Sequence, residues 1–197
     1  MSNSFVIESD SVIVSDPCYD TSFINDTISN DGHSSNDFRP NLLIKSVKKG
    51  TWYSYVKYNN DDRVYILYAF HSNFTNMDKK YKAINKLYGT ICVDSGQAGI
   101  FDVQHFKNEA DVYEDLEYIS DSNLSDKSDG SESNSDNSYE EKRWYDMCCK
   151  KTSSEKRYGT IPFGVVSTSG DGDGIYNVYT KKDKDNDIIG IKIDFTF

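Results

Sequence analysis

Ser169-Gly170-Asp171-Gly172-Asp173-Gly174-Ile175-Tyr176 is the stretch of this chain best equipped for chemistry. Three glycines alternate with two aspartates between segments that read as strands. Glycine permits positive φ and close backbone approach. The carboxylates beside it therefore sit on a tight, rigid turn, where an ion, a ligand or a partner can be held. A dinucleotide fingerprint needs Gly-x-Gly-x-x-Gly opening a helix; here the glycines are spaced by one and a strand follows. An EF-hand loop begun at Asp171 needs an acid at its twelfth position, which is Lys182. Calcium-binding β-roll motifs need tandem copies, and one copy is present. Two readings remain: a structural glycine turn whose Asp caps backbone amides, or a Ca²⁺ or Mg²⁺ site sharing carboxylates from elsewhere.

The other chemically suggestive residues are weaker. Asp94-Ser95-Gly96 follows a strand, but a nucleophile elbow is Gly-x-Ser-x-Gly and position 93 is Val. Only three His occur (His33, His71 and His105), and no Ser/His/Asp trio is visible. Asp16-Pro17-Cys18-Tyr19 reads as a turn. Cys18 has no basic neighbour to lower its thiol pKa. Cys148-Cys149 has no second closely spaced pair to complete a metal site. No residue is assigned a catalytic role on these grounds.

The elements that must position these turns are mainly β. Aromatics make up 14% of the 197 residues, and 15 of them are Tyr; such residues favour pleated, half-buried surfaces. The spacing predicts a strand or strand pair over 5–15, a three-strand meander over 41–47, 51–58 and 64–70, and strands at 88–93, 160–167, 176–180 and 188–197. A helix is expected over 105–116, from Phe106, Ala110, Val112, Tyr113 and Leu116, and another over 140–149. The fold class is thus mainly β (α+β), with antiparallel sheets in a sandwich or open barrel and one or two short helices.

The net charge is −10. Residues 119–141 hold seven acids against Lys127. The Ser/Asp/Asn-rich stretch 119–139 has too few apolar groups to offset ordering entropy and reads as a disordered acidic insertion in a single domain spanning 1–197. A nucleic-acid backbone binder usually shows a basic face, so nucleic acid is disfavoured as a partner. No apolar run is long enough for a membrane span, and Met1-Ser2-Asn3-Ser4 lacks the start of a signal peptide. Scattered cysteines suggest reduced thiols. An intracellular, cytoplasmic protein without membrane contact is expected. The abundance of Asn, Asp, Lys, Ile, Ser and Tyr resembles proteins from AT-rich genomes, giant DNA viruses among them, which would place it in the host cell.

Val93-Asp94-Ser95-Gly96, Phe101-Asp102, Ser169-Gly170-x-Gly172-Asp173-Gly174-x-Tyr176 and Asp194-Phe195 occur in that order. Together they resemble a family of bacterial, phage and giant-virus proteins, domain of unknown function 4241. The opening strand ending in Asp16-Pro17 also fits its pattern. The resemblance places Asp173 on the motif aspartate and Asp171 on a variable position. It marks 119–139 as a lineage-specific addition, and it implies no activity.

Two functions from different classes follow. In the first, the chain is a non-enzymatic binding or interaction module whose partner is unknown, a protein being one candidate. Asp16, Asp94, Asp102, Asp173 and Asp194 then bond turn amides, and the binding candidates are Asp94, Ser95, Asp102, Ser169, Gly172, Asp173, Gly174, Tyr176 and Asp194. In the second, Asp94, Asp102, Asp173 and Asp194 converge on a divalent cation in a metal-dependent hydrolase, with Ser95 or Ser169 supplying further oxygens. The two differ in whether those carboxylates meet.

Overall fold

A computed structural model describes residues 3–20, 40–74, 81–111 and 138–196, the side chains of 138–142 excepted. The chain forms β1 (Ser4–Ile7), β2 (Ser11–Ser15), β3 (Leu42–Lys45), β4 (Gly50–Tyr58), β5 (Val64–His71), β6 (Lys86–Val93) and β7 (Gln97–Asp102). A 3₁₀ turn (Glu109–Asp111) and α1 (Ser138–Thr152) follow, then β8 (Tyr158–Ile161), β9 (Gly164–Thr168), β10 (Gly174–Lys182) and β11 (Ile188–Asp194). Two open antiparallel sheets form a sandwich. One runs β1-β4-β5-β11-β10-β6 and the other β3-β2-β7-β9-β8.

Side-chain alternation sets the faces. In β4, Trp52, Ser54 and Val56 are buried while Tyr53 and Tyr55 are exposed, the period of a strand with one wet face. The main core lies between the sheets, where Val12, Val14, Ile44, Ile100 and Val165 meet Trp52, Leu67, Ile91, Val178, Ile191 and Ile193. Strand β7 is buried at every residue because its outer face is covered as well. There Trp144, Met147 and Cys148 of α1 pack on Ile13, Phe101 and Val166. Full burial of such side chains is worth about 1.5–3 kcal/mol each. A third cluster, with Ile84 against Ile66, Tyr68 and Phe70, covers part of the six-stranded sheet and explains why β5 reads as a continuous apolar run.

Several expectations change. The three-strand meander is a two-strand hairpin, β4–β5: β3 pairs with β2 in the other sheet. Between β3 and β4 the chain crosses sheets, with Ser46 at φ 60 and Val47 bridged to Ile188. The single strand over 160–167 is a hairpin, β8–β9, broken where Pro162 has no N–H to give. The expected helix over 105–116 is absent from its described part. Bonds from His105 N to Asp102 O, Asn108 N to His105 O and Asp111 N to Asn108 O run three residues back, and Lys107 has φ 57. These are successive turns rather than an α-helix. Residues 112–116, His33 and residues 119–137 of the acidic stretch lie outside the described residues, whereas its last two, Ser138 and Tyr139, already belong to α1. Among the described residues no helix is long and apolar enough to cross a membrane.

Candidate functional site at the loop end of the sandwich

Three of the suspect turns meet at one end. Asp16, at the close of β2, is fully buried and acts as their clasp. One carboxylate oxygen, Oδ2, accepts the N–H of Asp94 at 2.8 Å and of Ser95 at 2.7 Å. The other, Oδ1, accepts the Ser95 hydroxyl at 2.6 Å and the Cys18 N–H at 2.8 Å. Four donors on one carboxylate are the partners a buried charge requires. Tyr19 extends the clasp by donating its hydroxyl to Asp94 Oδ2 at 2.7 Å.

The glycine turn docks beside it. Ser169 N–H donates to Gly96 O at 3.0 Å, and a Cβ on Gly96 would stand 3.9 Å from Gly172 Cα. Within the turn, Gly172 N–H donates to Ser169 O at 3.0 Å. Ser169 Oγ–H donates to Gly172 O at 2.8 Å. The Tyr176 hydroxyl lies 2.8 Å from Gly172 O and 3.1 Å from Ser169 O. Ser169 and Tyr176 are therefore buried scaffolding. Gly170 (φ +61) and Gly172 (φ +112) occupy left-handed backbone that disfavours side chains. Gly174 pairs with Val93, so Asp173 and Asp94 leave the ends of one strand pair, both exposed. Asp171 is ion-paired with Arg63.

The remaining predicted carboxylates are engaged by other partners. Asp102 is fully buried; it accepts the N–H groups of Glu8 at 2.6 Å, Ser9 at 2.8 Å and Gln104 at 2.9 Å, fixing the β1–β2 corner. Asp194 accepts the Thr196 hydroxyl at 2.6 Å and N–H at 3.2 Å, and pairs with Lys192 at 3.1 Å. Burial alone would raise its pKa, but the Thr196 and Lys192 contacts outweigh it and hold the carboxyl below its ordinary value. Among the described residues no group of three or more His, Cys, Asp and Glu is arranged to hold a metal ion. The structure thus joins Asp94, Ser95, Ser169, Gly172, Asp173, Gly174 and Tyr176 at one end; Asp102 sits at the β1–β2 corner, while Asp194 precedes Phe195, which packs on Tyr176 and Gly170 of that end, and its carboxylate is taken by Lys192 and Thr196.

The thiol and two phenols at this end are shifted away from their anionic forms. Cys18 is an exposed residue, yet its thiol is pushed up to about 12, first by desolvation and then by the Asp16 carboxylate. Tyr19 is raised by burial and by Asp94, and burial pushes Tyr145 up to about 12. Sequence reasoning missed the support beneath Ser95. Gln97, nearly buried, takes the Thr152 hydroxyl on its carbonyl at 2.9 Å and turns its amide toward Tyr145 OH (3.4 Å) and Cys149 Sγ (3.5 Å). Their sequence separation of about fifty residues left no local signal.

No curated protein and no solved structure matches the chain. A family model, "Protein of unknown function (DUF4241)", matches residues 5–193. That span takes in both sheets, α1 and all three turns at the loop end, and the chain belongs to this family.

Proposed function

We propose that the protein is a non-catalytic binding module in which buried Asp16 builds a rigid end and the exposed Asp94 and Asp173 face a partner. One observation carries this reading. The carboxylates best placed to do chemistry, Asp16 and Asp102, are consumed by N–H and O–H donors of their own chain. With four hydrogen bonds accepted by Asp16 and three by Asp102, few lone pairs remain on either carboxylate to ligate a cation. A metal-dependent hydrolase needs several carboxylates at one point, and the described residues supply no such group.

The finer features belong to the same reading. The chain is one β-rich domain, intracellular, with the Ser/Asp/Asn-rich stretch 119–139 as an acidic addition. The composition favours a giant-virus source, and a protein is one candidate partner. Melting in EDTA and in millimolar Mg²⁺, Ca²⁺ or Mn²⁺ tests the metal-free claim, since a ligand of the native state raises the melting temperature. Coincident curves are expected. A shift of several degrees that Asp173→Asn or Asp94→Asn abolishes would replace this reading with the hydrolase.

A further inference from the structure

We propose that the groove between the β4–β5 turn and the glycine turn binds a neutral saccharide of one or two rings. The proposal rests on the binding-module reading and names a ligand for a flank of the same end. The groove is wide and open to solvent and holds about 510 Å³, enough volume for a small ligand. Tyr58 and Tyr65 line it together with Asn59, Asn60, Asp171 and Thr196, and Gly170 and Phe195 complete it. Aromatic rings offer apolar faces to the C–H face of a pyranose, while amides, a hydroxyl and a carboxylate suit its hydroxyls. The one charged lining residue, Asp171, is already matched by Arg63. An uncharged ligand therefore fits better than an ionic one.

The groups are held before any ligand arrives. The Tyr58 hydroxyl donates to Lys156 O at 2.6 Å, which fixes a ring that is 40% exposed. Asn59 Oδ1 accepts the N–H groups of Asp61 at 3.0 Å and Arg63 at 2.9 Å, so its amide N–H₂ is what it can offer a ligand. The Thr196 hydroxyl hydrogen is committed to Asp194, leaving its oxygen as an acceptor. Phe195 is locked edge-on to Tyr176, ring centroids 5.1 Å apart. A Cβ on Gly170 would stand 3.1 Å from Phe195 Cβ and 3.2 Å from Phe195 O, so the glycine lets the turn seat against the groove floor. Fixing such groups in advance reduces the ordering cost of binding.

Saturation-transfer NMR on the full chain tests this, with glucose, galactose, mannose, N-acetylglucosamine and their 1,4-linked disaccharides as probes. At least one is expected to receive saturation on one ring face. Its affinity should fall about tenfold or more in Tyr58→Ala and Asn60→Ala, and remain unchanged in Tyr53→Ala, which removes an exposed Tyr of the same strand outside the groove. Asn60 is exposed, so its variant keeps the test valid if Tyr58→Ala unfolds. No transfer from any probe overturns the proposal, as does transfer that both groove variants leave intact. Coincident melting curves with and without divalent ions, beside a failed saccharide screen, would sink the ligand and spare the binding-module reading.

Discussion

At Asp16, four donors converge on one carboxylate inside the protein. At the Ser169–Gly174 turn next to it the arrangement is inverted. Hydroxyls from Ser169 and Tyr176 lie inside, and the carboxylates of Asp171 and Asp173 lie outside. Both turns carry aspartates beside strand ends, and both answer the same need for backbone satisfaction. The first uses charge to hold a neighbouring turn. The second uses glycine geometry and neutral hydroxyls, which leaves Asp173 available to solvent and to a partner while Asp171 pairs with Arg63. An aspartate's residue type therefore says little about its role until its donors are known.

The sharpest way to break this contrast is to remove the buried charge. Asp16→Ala orphans four part-buried donors and should cost about 3 kcal/mol or more, since each unsatisfied donor costs about 1–3 kcal/mol when buried. At about 2–4 °C per kcal/mol for a chain of this size, melting should fall by roughly 10 °C. Wild-type melting in that variant would end the structural assignment. Gly170→Ala should cost about 1–3 kcal/mol, because a positive φ and contact with Phe195 act together. Gly172→Ala should cost less, since nothing stands within 4 Å of its added Cβ. Equal denaturation midpoints for the two would show that backbone strain alone matters.

A smaller effect concerns His105, which sharpens the comparison through a third charged cluster. Its ring lies 2.7 Å from Asp111 and 3.4 Å from Glu8, stacked on Phe163. Desolvation lowers its pKa, but the Asp111 bond and the charges of Asp111 and Asp102, with the Glu8 bond, raise it overall above 6.5. The protonated form is thus bound more tightly in the folded state. Its contribution is complete below about pH 6.5, the unfolded value, and is lost as pH rises through the folded value. His105→Gln should therefore lower the melting temperature most in acid and least above neutrality; a constant difference across that range would refute the assignment. Smallest of all, Asp173→Asn should stay within about 0.5 kcal/mol of wild type, as urea unfolding can check. A larger loss would mean that the outer acids also hold the turn.

Much of the β architecture was legible because its signals are local. Trp52, Ser54 and Val56 alternate with Tyr53 and Tyr55, and Asn59-Asn60-Asp61-Asp62 marks the hairpin turn that follows. Pairing was less legible. Nothing in residues 41–47 says that β3 joins β2 instead of β4, because strand partners are chosen by burial across the sandwich. The 105–116 periodicity misled because apolar spacing cannot register the positive φ of Lys107. For the site, the glycines identified their own turn, and Asp16-Pro17 identified another. That Asp94 and Ser95 are gripped by Asp16 depends on contacts 78 and 79 residues apart, a distance no motif spans.

Strand β11 lies between β5 and β10, in the middle of the six-stranded sheet. During synthesis the hairpin β4–β5 and strand β6 therefore emerge well before the strand that joins them. Until β11 arrives, β5 waits with an unpaired row of backbone groups, the state in which β-rich chains are most exposed to misassembly. The six-stranded sheet can therefore close only once nearly the whole chain has been made.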